Sequence, residues 1–183
     1  MKSSSDLSKF NNKSYNPGSI LRRFLWYFIN IIFFKSSIFP FNFIKVFFLK
    51  FFGARVGKGV VVKPNVNIKY PWKLNIGNYV WIGENVWIDN LDDVIISDNV
   101  CISQGAMILC GSHNYKISSF DLITRPVYLK DGVWIGAKSI VLSGVVAESH
   151  SILSAGSVSS KNLEPFGIYK GNPAQKIATR KLS

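Results

Sequence analysis

The sequence predicts an all-β chain wound as a parallel β-helix. Three observations carry that prediction: a six-residue aliphatic beat, phase breaks after every third hexad, and small or β-branched residues at a fixed offset from the beat. The beat falls at Val56, Val62, Ile68, then Ile76, Ile82, Ile88, then Ile96, Ile102, Ile108, and after a gap at Leu129, Ile135, Val141, Ala147 and Leu153. Thirteen of these fourteen positions are Val, Ile or Leu, which composition alone does not produce. A helical stripe would repeat at about 3.6 residues and a strand at about two, so a strict six suits neither. It suits short flat strands joined by corners and stacked as coils.

The phase breaks locate the corners. Two extra residues, Leu74 and Asn75, follow the first three hexads, and Val94 and Ile95 follow the next three. A longer excursion, 114–128, follows the third triplet. If three hexads make one triangular coil, every insertion falls at the same corner. Each coil buries little alone, and the stack buries a continuous core. Val80, Val86, Val100, Ala106, Ser139, Val145, Ser151 and Ser157, four places after a beat, fit the cramped interior of such a prism.

Four segments follow in order. Residues 1–19 are rich in Ser, Lys and Asn and read as a flexible polar tail. Residues 20–53 read as a helical aromatic-basic segment. Residues 54–163 are the hexapeptide-repeat β-helix with its loop 114–128, and 164–183 are expected to form a tail ending in a short helix.

Charge separates the second segment from the third. Residues 1–63 hold eleven Lys and Arg against Asp6 alone, a net of +10, while 64–183 hold eleven against nine Asp and Glu, a net of +2. The repeat domain is therefore near neutral, and no nucleic-acid partner is expected of it. Twelve of the fourteen Phe lie in the first 52 residues, interleaved with Arg22, Arg23, Lys35, Lys45 and Lys50. The apolar runs 24–34 and 43–52 are shorter than the ~20 residues of a spanning helix. Their composition is that of helices lying in a membrane interface, so 20–52 is expected to make peripheral membrane contact. The competing reading packs these helices on the repeat domain or on a sister subunit.

Chemistry concentrates at one place. His113 ends a hexad where the long excursion departs, and one coil earlier the corresponding places hold Asp92 and Asp93. An imidazole there, titrating near pH ~6.5 when unperturbed, can serve as general base. Position alone leaves a corner-capping surface histidine equally open. His150 sits at an expected turn and reads as a turn residue. Cys101 and Cys110 form no CxxC pair, which points to a reducing compartment and no disulfide framework. No G-x-S-x-G elbow supports a serine nucleophile.

The runs IGNYVWIGENVWIDN at 76–90, ISDNVCISQG at 96–105 and GSHNY at 111–115 closely resemble hexapeptide-repeat acetyltransferases. So do YPW at 70–72, DGVWIG at 131–136, AGS at 155–157 and YKGNPA at 169–174. Within these, the chain is most similar to the type that O-acetylates bacterial exopolysaccharide precursors such as colanic acid. The resemblance covers roughly 15–180. It implies a left-handed β-helix, a homotrimer with sites between subunits, and acetyl coenzyme A as co-substrate with no metal. It places the general base on His113 and coenzyme contacts on Ala137, Ala155, Ser160 and Lys161. Asn90, Asp93 and Trp134 fall on the acceptor side, and Lys176, Arg180 and Lys181 are left as further phosphate contacts. Carbonic anhydrases on the same scaffold use three zinc-binding histidines, and this chain has two.

The chain departs from the subgroup at Asn114, where Asp often follows the histidine, and at Glu148 and Ser154, where the repeat prefers Gly. The expected activity is O-acetylation of a saccharide, a lipid-linked exopolysaccharide precursor, at the inner face of the plasma membrane in the cytoplasm. The alternatives are a soluble acetyltransferase for a free sugar or small xenobiotic alcohol, and a non-catalytic β-helix that recruits partners.

Overall fold

The computed structural model describes residues 4–182. Its centre is a left-handed parallel β-helix of about six turns with three flat faces. The first face stacks Arg55–Val56, Leu74–Ile76, Val94–Ile96, Val127–Leu129 and Val146–Ala147. The second stacks Val61–Val62, Trp81–Ile82, Cys101–Ile102, Trp134–Ile135, Ile152–Leu153 and Gly167–Gly171. The third stacks Asn67–Ile68, Trp87–Asp89, Met107–Leu109, Ile140–Val141 and Val158–Ser159.

Register follows directly from the beat. Ile76 pairs with Ile96, Ile82 with Ile102 and Ile88 with Ile108, so like side chains stack along the axis. Every beat position from Val62 onward is buried, and Val56 in the first coil is half-buried. At about 1.5–3 kcal/mol per fully buried aliphatic side chain, these rows are the main attractive term of the domain. The second inward row, from Val80 to Ser157, is buried as well, and the Ser139 hydroxyl is satisfied by the Gly136 carbonyl at 2.6 Å.

Leu74 and Val94 are buried, so the extra residues lengthen the first-face strands instead of bulging at a corner. Turns between the first and second faces place Tyr79, Asn99 and His150 in the left-handed region, with φ of 56°, 58° and 61°. His150 is thus a turn residue, its ring stacked on Phe166 of the next coil at 4.9 Å.

The N-terminal segment closes one end of this stack. It forms α1 (Ile20–Ile29), a wider turn at Asn30–Phe34, and α2 (Asn42–Phe51). Inward-facing residues of the first coil aim their main-chain groups where a preceding coil would lie, and side chains of this segment answer them. Asn42 accepts from the Val62 N–H at 2.7 Å and donates to the Val60 carbonyl at 2.8 Å, as a strand residue would. Trp26 Nε1 donates to the Ile68 carbonyl at 2.8 Å, and Lys45 Nζ to the Val62 carbonyl at 3.3 Å. Trp26, Phe34, Leu49 and Phe52 extend the aliphatic core underneath.

The opposite end corrects an expectation. Instead of a short helix, Gly167–Gly171 joins the second face parallel to Ile152–Leu153, and Ala174–Thr179 folds back antiparallel to it. The open face of the last coil is met by strand pairing, which a helix could not supply. Residues 6–15, expected as free tail, lie along the long excursion: the Asp6 N–H meets the Ser118 carbonyl at 2.8 Å and the Asn11 N–H meets Asp121 Oδ1 at 3.0 Å. The first three residues of that tail and Ser183 lie outside the described residues.

Lys45 is fully buried, and its ammonium is held below the usual lysine value by burial first and by the charge of Lys63 second. The folded state therefore binds this proton less readily than the unfolded chain. The resulting cost is complete below the folded value and is relieved as pH rises toward the unfolded value of about 10.4. Urea unfolding of wild type and Lys45→Met between neutral and alkaline pH should show wild type gaining on the variant as pH rises. A stability difference that is flat with pH contradicts this account.

Candidate active site

The histidine stands on an arm that leaves the edge between the third and first faces. Gly111–His113 pairs antiparallel with Leu122–Thr124, with His113 opposite Leu122. The excursion expected as loop 114–128 therefore holds the returning strand of a β-hairpin, and its last residues already belong to the first-face strand Val127–Leu129. His113 Nδ1 lies 2.8 Å from the Phe120 carbonyl oxygen, and its ring stacks on that of Phe120 at 4.5 Å and 9°. A carbonyl only accepts, so Nδ1 carries the proton and Nε2 presents a lone pair. Phe120 holds φ of +53°, a costly conformation for a bulky residue, and this backbone places the carbonyl against the imidazole. On another side the Phe10 ring lies 6.0 Å from the imidazole.

Two of the carboxylates near this edge are engaged elsewhere. Asp92 accepts from the Asp93 N–H at 2.8 Å, and Asp121 accepts from Asn11. Asp93 is exposed on the same edge, and its carbonyl accepts from the Val127 N–H at 3.0 Å. Asn114 uses its side chain to accept from the Lys116 N–H at 3.2 Å. Asn90, expected on the acceptor side, is buried, and its amide accepts from the Tyr70 N–H at 3.0 Å and donates to the Tyr70 carbonyl at 2.5 Å. It is a corner clamp between coils, because a turn folded inward must satisfy its main chain with an internal side chain.

A second feature lies on the edge between the second and third faces. A cavity of about 430 Å³ is lined by Trp134, Gly136, Ala137, Ser154, Ala155 and residues around Gln104. Three expected site residues, Trp134, Ala137 and Ala155, meet here. Trp134 is therefore a wall of this groove, with Nε1 donating to Ser103 Oγ at 2.9 Å. The Gly156 N–H binds the Ala137 carbonyl at 2.8 Å, which stacks the two turns in register. The N–H groups of Ala137 and Ala155 have no protein acceptor among the described residues and border the groove. Gly136 permits this approach, since a Cβ there would stand 2.5 Å from the Ala155 nitrogen.

Ser160 and Lys161 do not join this cavity. They are exposed beyond Val158–Ser159 on the edge that carries the histidine arm in the coil of Met107–Leu109, with Ser159 Oγ donating to the Lys161 carbonyl at 2.7 Å. Within one chain, then, the imidazole and the Ala137–Ala155 groove occupy different edges of the prism. Cys110 is buried, and burial pushes its thiol up to about 12, far from a thiolate nucleophile. No group of three or more His, Cys, Asp or Glu placed to hold a metal ion occurs among the described residues.

Sequence patterns point to the Ala137 and Ala155 turns through the repeat. They do not reveal Phe120, which acts through its carbonyl, or Phe10, which reaches the site from a segment with no periodicity. Gln104 had a signal: it occupies the turn position of Ala137 one coil earlier.

The chain is thus a β-helix with a histidine arm on one edge and the Ala137–Ala155 groove on another. No family model matches the chain. It is 32% identical over 176 residues to the "Putative colanic acid biosynthesis acetyltransferase WcaF" of Escherichia coli (strain K12), covering 96% of this chain and 97% of that protein. It is 27% identical over 127 residues to the galactoside O-acetyltransferase of Escherichia coli (strain K12), covering 68% of this chain and 63% of that one. The hexapeptide-repeat-containing acetyltransferase of Vibrio cholerae, solved in complex with acetyl coenzyme A, superposes with a TM-score of 0.81 at 20% identity, covering 91% and 92% of the two chains. The chain belongs to the hexapeptide-repeat acetyltransferases, in the family of the colanic acid type.

The tautomer is directly measurable. Long-range proton–nitrogen correlation spectra at high pH should show neutral His113 protonated at Nδ1, because Phe120 offers only an acceptor. A neutral Nε2–H form contradicts the assignment.

Proposed function

We propose that this protein transfers the acetyl group of acetyl coenzyme A to a hydroxyl of a saccharide, an exopolysaccharide precursor carried on lipid. The observation that supports it most is the pairing of His113 Nδ1 with the Phe120 carbonyl, which leaves Nε2 as a free base. Nε2 accepts the hydroxyl proton as the oxygen attacks the thioester carbonyl. The carbon–sulfur bond then breaks, and the thiolate takes the proton back from the imidazolium. No acyl-enzyme forms, and no carboxylate is needed to orient the ring, since a main-chain carbonyl does so.

The donor lies in the Ala137–Ala155 groove, where the two free N–H groups answer amide carbonyls of the pantetheine arm. Ser160 and Lys161, on the edge of the histidine arm, contact the coenzyme from the neighbouring subunit, and Asp93 lines the acceptor side. Because one chain places groove and imidazole on different edges, the working unit is a homotrimer in which each site takes its groove from one subunit and its histidine arm from the next.

Lipid carriage rests on the outer surfaces of α1 and α2. Their inner side packs on the first coil, yet Phe24, Phe43, Phe47 and Phe51 are 58–72% exposed, beside Leu21 and Leu25. So large an apolar surface on helices flanked by Lys and Arg suits the headgroup region of an anionic bilayer. No helix of the described residues is long and apolar enough to cross a membrane. The protein works at the inner face of the plasma membrane.

His113→Ala should lower turnover about a hundredfold to ten-thousandfold, the usual contribution of a positioned base. Coenzyme affinity should stay unchanged. Ala155→Arg should do the reverse at the level of binding, filling the groove from an exposed position and weakening coenzyme affinity. Thiol-release assays and calorimetric titration of coenzyme A read both, and a His113→Ala enzyme with more than about a tenth of wild-type turnover contradicts the assignment.

Membrane contact has its own check. The protein should co-sediment with vesicles containing phosphatidylserine, less so as salt screens charges over about 8 Å at physiological strength. A Phe43→Ser, Phe47→Ser, Phe51→Ser variant should remain in the supernatant. Indifference of the intact protein to such vesicles at low salt refutes the membrane reading.

A further inference from the structure

Between α1 and the third face lies a cavity of about 360 Å³ that the acetyl-transfer reading does not use. Its cations are Arg23 from α1, Lys35 from the turn after it, and Lys69 from the coil edge. One carboxylate faces them. Asp89 Oδ1 lies 3.0 Å from Lys69 Nζ, an ion pair whose angle does not make it a hydrogen bond. Asp89 thus offsets Lys69, and Arg23 with Lys35 leave a local charge of +2.

The two adjacent arginines of α1 differ in a telling way. Arg22 is engaged within the fold: its guanidinium donates to the Phe52 carbonyl and lies 4.5 Å from the centroid of the Trp72 ring. Arg23 Nε is buried with no acceptor among the described residues. A buried charged donor left unpaired is costly, and an anionic oxygen entering the cavity would relieve that cost. Lys35, at the exposed mouth, makes no ion pair among the described residues. Two cations converging on one space with aromatic walls at Tyr70 and Trp87 suit phosphate oxygens with a sugar ring beside them.

We infer that this cavity binds the diphosphate ester that carries the acceptor saccharide. The inference rests on the saccharide reading above and names the handle by which the acceptor is held. Its position fits both ends of such a molecule. Tyr27 of α1 and Ile31 of the turn after it line the cavity and are exposed on the apolar side of this segment, where a lipid tail would lie. On the other side, Asp89 pairs in register with Leu109, one coil spacing of about 4.8 Å along the axis and four residues before His113. A glycan leaving the diphosphate toward that edge runs to the histidine arm. The same chemistry could be presented by a lipid diphosphate or by a nucleoside diphosphate, and the binding arms below separate them.

Calorimetric titration of inorganic pyrophosphate into the full-length protein tests this, with coenzyme A present at saturation so that the donor groove is filled. Wild type should bind, and Arg23→Gln should weaken binding about tenfold, the value of one charge-assisted hydrogen bond of about 1.5 kcal/mol. Lys35→Gln, at the solvent-exposed mouth, should weaken it by a smaller factor of about three to ten, and this variant decides the matter if Arg23→Gln fails to fold. Lys50→Gln, on α2 away from the cavity, should bind as wild type does. Pyrophosphate that does not bind, or binds both cavity variants as tightly as wild type, overturns the inference. Farnesyl diphosphate binding more tightly than uridine diphosphate supports a lipid carrier, and the opposite order supports a nucleotide carrier in the same cavity. If coenzyme A itself does not bind, the acetyl-transfer reading fails, while pyrophosphate titrated alone still tests the cavity.

Discussion

Everything in this molecule depends on the ladder of main-chain hydrogen bonds that runs from coil to coil. Val61 donates to Val80, Trp81 to Val100, Cys101 to Val133 and Trp134 to Ser151, so each face is one continuous parallel sheet. A ladder of this kind has no natural end. Its first coil would expose unsatisfied carbonyl and N–H groups to any other strand, a standing route to aggregation. Asn42, Trp26, Asn30 and Lys45 close that end by supplying side-chain donors and acceptors in place of a preceding coil. Lys45 shows how strongly the end must be closed, since a buried ammonium is retained there for a single carbonyl bond.

This closure gives the N-terminal helices two different sides. The buried side must match the solenoid and is polar at defined points, with Trp26 and Phe34 packed edge to face at 5.1 Å between them. The outer side has no such duty and is nearly all aromatic or aliphatic. Packing and membrane contact, posed as rivals by composition, are therefore compatible uses of opposite sides of the same helices. The cavity with Arg23 sits where those two sides meet the coil edge, which places a charged pocket between the exposed apolar surface of the helices and the histidine arm.

The repeat was legible because packing inside a triangular prism leaves one residue in six no alternative to a buried aliphatic, as Ile76, Ile96 and their neighbours show. His113 and the Ala137 and Ala155 turns were legible for a related reason: each interrupts or decorates that period at a fixed phase. Groups that act through the main chain left no such trace. The Phe120 carbonyl that sets the tautomer of His113 could be supplied by any residue type. Asn90 misled because a polar residue at a corner reads as exposed, whereas inward turns recruit amides to satisfy Tyr70. The C-terminal residues misled because Lys176, Arg180 and Lys181 spaced through a short segment resemble a solvated helix face. An edge strand also favours exposed lysines, and pairing with Gly167–Gly171 decided between the two.

The central claim is that an active site is assembled from two edges of the prism that one chain cannot bring together. Subunit mixing measures it most directly. Two impaired proteins, His113→Ala and Ala155→Arg, are unfolded, mixed in equal amounts and refolded together, and thiol release is compared with each refolded alone at an acetyl coenzyme A concentration too low to fill the Ala155→Arg groove. In a mixed trimer, some interfaces join an intact histidine arm to an intact groove from the neighbouring subunit. The account predicts recovery of roughly a quarter of wild-type activity, as random pairing of subunits around a closed ring requires. Mixed protein no more active than its two parents, with mixed trimers shown to be present, would place the whole site within one chain and contradict the account.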